Sequence, residues 1–177
     1  NRGTLAGNLI TASPANDTIT PLWALEASVR LVSGEGERTL TFPEFYRGVR
    51  RTTMLPDDLV LEVVIPALPN NTRGTFAKLG LRRAQAISVI NIAVVLGWEG
   101  DRVAYARITE GSVAPTIIRA PEAEAYLLGK PLADNVVEQA ASLAGNAARP
   151  IDDIRSPADY RADMGRVSAL VKAKLAG

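Results

Sequence analysis

The segment that most constrains the fold lies in the middle of the chain. Ser88–Glu99 and Arg102–Thr109 both read as strands, and Gly100-Asp101 between them is a short-hairpin signal, so the two are expected to pair antiparallel. Thr75–Leu81 supplies a third strand candidate just upstream. The pattern then turns helical. Ile118–Leu128 is stopped by Gly129-Lys130-Pro131. Asn135–Ala147 places Val136, Ala140, Leu143 and Ala144 on one face. Ser156–Ala176 opens with Ser156 as N-cap, Pro157 at the first helical position and Asp159 in the first turn, and aligns Met164, Val167, Leu170, Val171 and Leu175. Strands grouped before helices, rather than alternating with them, predict an α+β fold: a three-stranded antiparallel sheet with three helices.

Upstream, residues 1–20 read as a small-residue loop leading into a short helix with Pro21 in its first turn, ahead of Leu22-Trp23-Ala24-Leu25. Ser28–Ser33 alternates Val29 and Leu31 against Arg30 and Val32. A turn at Gly34–Glu37 sends the chain back through Arg38–Phe42, and Pro43–Tyr46 begins a short helical turn. Leu59–Ile65 is an apolar, β-branched run ended by Pro66, predicted to be a buried strand. Ala67–Arg73, with Pro69 and two Asn, is the best boundary candidate. It divides the chain into units at 1–66 and 72–177.

Two residue types are missing, and this limits the chemistry. With no Cys the chain has no disulfide, no thiol nucleophile and no thiolate for a cluster or zinc; with no His it lacks the commonest general base and metal ligand. Ser/His/Asp hydrolysis within this chain is excluded. Any redox chemistry must be carried by a bound organic cofactor. Twenty Lys plus Arg against 19 Asp plus Glu leave a net charge of +1, with no basic run to recruit nucleic acid. No stretch is long and apolar enough to predict a transmembrane segment. Trp23 and Trp98 read as core aromatics. The opening Asn1-Arg2-Gly3-Thr4 has neither an initiator Met nor a signal-peptide pattern, so the chain reads as a piece of a longer polypeptide.

One segment invites a ligand. Gly3–Asp17 (GTLAGNLITASPAND) is rich in small and hydroxyl residues, whose backbone amides can approach an anion closely. A tight turn with a polar cap explains the same composition. The segment is neither a Walker loop, since no Gly-Lys-Ser/Thr follows, nor the dinucleotide fingerprint, since the Gly spacing differs.

Thr4-Leu5-Ala6-Gly7-Asn8-Leu9-Ile10-Thr11-Ala12-Ser13-Pro14-Ala15-Asn16-Asp17 resembles the second phosphate-binding loop of the FAD domain in molybdenum hydroxylases of the xanthine dehydrogenase and carbon monoxide dehydrogenase type. Ala6 departs from that pattern, standing where the first Gly of a pair is usual. The resemblance runs over essentially the whole chain: Phe42–Thr52, Leu55–Pro66, Phe76–Arg83 (FAKLGLRR), Gly111–Thr116 with Arg119-Ala120, and Asp152–Arg161 each match a family element in order.

That resemblance implies the second half of an FAD-binding (PCMH-type) domain followed by the family's C-terminal domain; the absence of Cys fits a cytoplasmic location. It implies FAD as the cofactor here, with the molybdenum cofactor and 2Fe–2S clusters in partner subunits, and the N-terminal half of the FAD domain as a further partner. Thr4, Leu5, Ala6, Gly7 and Asn8 would meet the pyrophosphate. Thr11 and Asp17 would bond around the phosphate and ribityl region, although Asp17 also suits a helix N-cap. Val60 would face the isoalloxazine, or simply fill a strand core. Lys78 would approach the ring, or be a solvated strand lysine. Arg82 and Arg83 suit partner docking or surface ion pairs equally. No catalytic side chain and no metal ligand are implied, because the chain's role would be electron relay. A related flavoprotein oxidase and a docking fragment that binds no flavin are the rival readings.

Overall fold

A computed structural model describes residues 3–82, 86–149 and 164–175. Arg83, the Asp152–Arg161 motif and the Ser156 cap lie outside the described residues. The first elements are α1 (Leu5–Ile10), α2 (Ile19–Ala24), β1 (Ser28–Ser33), β2 (Gly36–Thr41), α3 (Phe42–Phe45), β3 (Tyr46–Gly48), β4 (Arg51–Thr52) and β5 (Leu59–Val64). They are followed by β6 (Thr72–Gly80), β7 (Ser88–Glu99), β8 (Arg102–Gly111), β9 (Ile118–Arg119), α4 (Pro121–Leu127), α5 (Asp134–Ala147) and α6 (Met164–Leu175).

Every strand pairing among the described residues is antiparallel, in sheets ordered β2-β1-β5, β3-β4 and β6-β7-β8-β9. The α+β class therefore holds, and the larger sheet carries one short strand, β9, beyond the three anticipated. Glu99 pairs with Arg102 across Gly100-Asp101, with Gly100 at φ 61°, the left-handed geometry that a two-residue hairpin demands.

The apolar run of β7 follows from its position. Successive side chains point to opposite faces. Ile92, Val94 and Leu96 enter a core with Ile108, Leu127, Val137, Val171 and others under the three helices. Ala93 and Val95 pack on the other side against Ala24 at the end of α2. Burying one such aliphatic side chain contributes about 1.5–3 kcal/mol, so a strand covered on both faces has little room for polar residues.

The first sheet closes a second core of Leu9, Val29, Leu31, Phe42, Phe45 and Tyr46, with Trp23 stacked on Tyr46 at 5.9 Å and Ile117 entering from the other half. Buried hydrogen bonds join the halves: the Thr20 hydroxyl to Asn91 Oδ1 (2.5 Å), the Thr109 hydroxyl to the Thr20 carbonyl (2.9 Å) and the Ser112 amide to the Pro14 carbonyl (2.9 Å).

Four local expectations are corrected. Leu5–Ile10 is a helix, because Thr4 caps it, where a loop was predicted. β5 is not buried: Leu59 is 68% exposed, and Leu61, Val64 and Ile65 are exposed with it. It pairs only with β1, so one edge and much of its surface have no neighbour among the described residues. The helix expected from Ile118 starts at Pro121, since Ile118 and Arg119 pair with Glu110 and Thr109 and Pro121 opens the helix. Thr72 and Arg73 belong to β6 rather than to the linker.

Candidate functional site

The site is built on α1. Thr4 is extended (φ −114°, ψ 157°), its hydroxyl oxygen accepts from the Gly7 amide at 3.0 Å, and its carbonyl accepts from Asn8. In a helix the first amides have no acceptor within the ladder. Here those of Leu5 and Ala6 open the first turn, beside the Thr4 hydroxyl proton. Ala6 keeps a negative φ, so the departure from Gly needs no strained backbone.

The C-terminal end of α1 is tied to the following loop. Asn8 is gripped at two points: the Thr18 hydroxyl donates to its Oδ1, and Asn16 Nδ2 and the Thr11 hydroxyl donate to its carbonyl at 2.6 and 2.8 Å. The Thr11 hydroxyl also accepts from Asn16 Nδ2 at 2.7 Å, which commits it to the loop itself. With Oδ1 occupied, the amide NH2 is the donor that the Asn8 side chain has left to offer.

The loop then meets the second sheet. Lys78 Nζ on β6 lies 2.5 Å from Asp17 Oδ2 and donates to the Ala86 carbonyl at 3.1 Å. The buried Ser88 hydroxyl donates to Asp17 Oδ1 at 2.7 Å, and Ser112 donates to the Ser88 carbonyl at 3.1 Å. Two residues singled out from sequence, 61 positions apart, thus form one ion pair. Lys78 is not simply solvated, and Asp17 is not the N-cap of α2, a position that Thr18 holds. Val60 sits on β5 opposite Leu31, half-buried against the cluster that contains Leu9 of α1, so it borders the same core as the loop. Arg82 is exposed just past the end of β6. Ser88 and Ser112 were not found from sequence.

Around the first turn of α1 the available groups are donors: two amides, a hydroxyl and the Asn8 amide, with the Lys78–Asp17 ion pair at the loop's far end. Such a set suits a multiply charged oxyanion such as a pyrophosphate and offers no general base.

Two family models match this chain. The family described as the CO dehydrogenase flavoprotein C-terminal domain matches residues 75–173, and the FAD binding domain in molybdopterin dehydrogenase matches residues 1–68. The carbon monoxide dehydrogenase medium chain of Hydrogenophaga pseudoflava is 32% identical over 164 residues, 93% of this chain and 57% of that one. The nicotine 6-hydroxylase medium subunit of Paenarthrobacter nicotinovorans is 33% identical over 173 residues, 97% of this chain and 59% of that one. The solved carbon monoxide dehydrogenase from Hydrogenophaga pseudoflava, in a form lacking the Mo-pyranopterin moiety, superimposes with a TM-score of 0.90 at 33% identity, covering 99% of this chain and 60% of that one. Quinoline 2-oxidoreductase from Pseudomonas putida 86 gives a TM-score of 0.89 at 27% identity, covering 99% of this chain and 60% of that one. The chain thus spans about three-fifths of the length of these relatives.

Proposed function

This chain belongs to the FAD-binding family of molybdopterin dehydrogenases, with their CO dehydrogenase flavoprotein-type C-terminal domain, and from that premise we propose that the full polypeptide is the flavin subunit of a molybdenum-containing oxidoreductase. In this reading it relays electrons from 2Fe–2S clusters in one partner subunit, themselves fed by a molybdopterin subunit, to an external acceptor. The division of labour is residues 1–66 as the end of the FAD-binding domain and 72–177 as the C-terminal domain. The observation that carries the reading is the donor set of α1, linked through Asp17 and Lys78 to the second sheet.

FAD, when bound, supplies the redox chemistry; the chain's residues hold it. The amides of Leu5 and Ala6, the Thr4 hydroxyl and the Asn8 side-chain amide are assigned to the pyrophosphate, with Gly7, whose own amide donates to Thr4 Oγ1, keeping the backbone there free of a side chain. Thr11 acts through Asn8, whose carbonyl it engages. Asp17, which fixes Lys78, would serve the ribityl side of the cofactor, and Val60 would present an aliphatic side chain toward the ring system. Lys78 brings a positive charge that favours added electrons. The exposed apolar face of β5 fits packing against the N-terminal half of the FAD domain.

Two outcomes follow. Asn8→Ala in the full-length subunit weakens FAD binding by about 1–3 kcal/mol, the cost of one polar contact left unsatisfied, measured as flavin dissociation by fluorescence. Lys78→Met lowers the flavin potential and alters reoxidation, while reduction of the molybdenum centre by substrate proceeds unchanged. About 30 mV corresponds to 1.4 kcal/mol for a two-electron couple, so a modest electrostatic contribution is measurable. Rapid mixing that follows the two half-reactions separately tests this. Loss of the substrate half-reaction in fully loaded Lys78→Met protein would show that Lys78 takes part in substrate chemistry.

A further inference from the structure

A cavity of about 630 Å³ lies between the first half of β6 and the helical layer, and neither Asp17 nor Lys78 lines it. Its floor is Val94 and Leu96 of β7 with Val137 of α5, and Trp98 forms part of the wall. On β6 the registers Arg73↔Leu96 and Thr75↔Val94 put Arg73 and Thr75 on this same helix-facing side, where the sheet's other strands carry aliphatic residues. Lys174, in the last turn of α6, lines the cavity opposite the strand. Neither Arg73 nor Lys174 makes an ion pair with a described residue. Asp134 at the start of α5 also lines the cavity, leaving it one net positive charge. Trp98 and Arg73 continue into a second hollow of about 430 Å³ with Asn71 and Thr72.

We infer that this cavity is a binding site for a small amphipathic carboxylate, an alkyl or aryl acid whose apolar body lies on Val94, Leu96 and Val137 and whose head is held by Arg73 and Lys174. The volume falls within the roughly 300–1,000 Å³ typical of small-molecule sites, which are mostly apolar with a few polar groups that fix orientation. An inward-facing Arg at a sheet edge adds nothing to the core, and placed across a hollow from a second cation it favours an anion. A planar guanidinium suits a carboxylate in particular, because it can donate two parallel hydrogen bonds.

Titration calorimetry of the full-length polypeptide with octanoate tests the assignment, with octan-1-ol as the neutral counterpart. The expected result is saturable binding of one octanoate per chain. It should be weakened at least tenfold in the Arg73→Ala/Lys174→Ala double variant, whose changes lie outside the buried core, and abolished in Thr75→Trp, which fills the hollow. Octan-1-ol should bind more weakly than octanoate. Absence of saturable octanoate binding, unchanged affinity in the double variant, or equal affinity for the alcohol would overturn the inference.

Discussion

Gly111→Ala will lower the stability of the protein by about 3 kcal/mol or more, the upper end of the usual cost of overpacking, since a buried hydrogen bond is displaced as well. Gly111 ends β8, where it pairs with Asn91 of β7 on the part of the larger sheet that packs against α2. A Cβ there would run into the Asn91 side chain and approach Thr20 Oγ1 to 2.5 Å, closer than any real contact. Both neighbours are fully buried and bonded to one another, and Asn91 Nδ2 already has no partner among the described residues. Neither side chain can withdraw without breaking the seam between the halves. Gly34→Ala is the control, because a Cβ at Gly34 meets nothing within 4 Å. Urea midpoints should separate the two variants clearly. The Asn91→Ala/Gly111→Ala double variant should recover part of the loss, because it removes both the obstruction and the orphaned amide; a fully additive loss would place the damage elsewhere.

Glu110→Gln will flatten the pH dependence of stability. Glu110 is fully buried on β8 in register with Ile92 and Ile118, and neither carboxylate oxygen has a hydrogen-bond partner among the described residues. Glu124, also buried, differs in receiving both the Ile108 amide and Arg119. Burial pushes the Glu110 carboxyl up to about 8 from an ordinary 4.5. Between those values the folded state holds a proton that the unfolded chain has lost. Stability therefore falls as pH rises through this window and levels off above about 8. A tenfold difference in proton affinity between the two states corresponds to about 1.4 kcal/mol, so the total is on the order of a few kcal/mol. Gln cannot ionise, so the variant should match the parent near pH 4.5 and exceed it in stability above pH 8. Parallel decline of both proteins between about pH 5 and pH 8.5 would show that Glu110 is ionised at little cost or has a partner in solution.

The parts of the fold that were legible in the sequence are those whose pattern records their burial. β7 reads as a strand because both its faces are covered, and the Gly100-Asp101 turn fixes its partner. β5 shows the limit of the same reasoning: its Val and Leu residues signal hydrophobicity, but a sequence does not say what covers them, and here little among the described residues does. Small residues between Gly3 and Ile10 suggested a loop, whereas a single Thr cap makes a short helix of them. Ile118 and Arg119 sit on a helix-like pattern yet pair with β8, a long-range preference that no local window contains.

For the site, the family resemblance picked out Thr4–Asn8, Asp17 and Lys78, and the fold joins the last two. Ser88 opens an apolar strand and carries no local sign of a role. Its contact with Asp17 spans 71 positions and exists only once the two halves have packed. Thr11 was expected at the ligand, but its hydroxyl is committed on both sides within the loop.

The central claim is that α1 and its loop form one wall of a flavin site, and the FAD-to-polypeptide ratio tests it most directly. Gly7 is the informative position: a Cβ there would stand 3.0 Å from Thr4 Oγ1, and the branched side chain of Val would crowd the oxygen that caps the helix. The full-length subunit should be purified with close to one FAD per chain, read from the visible absorbance of oxidised flavin. Gly7→Val, with its urea midpoint checked so that global unfolding is excluded, should lose most of that flavin on gel filtration. A full complement of FAD in folded Gly7→Val protein, or a full-length parent that carries none, would contradict the account.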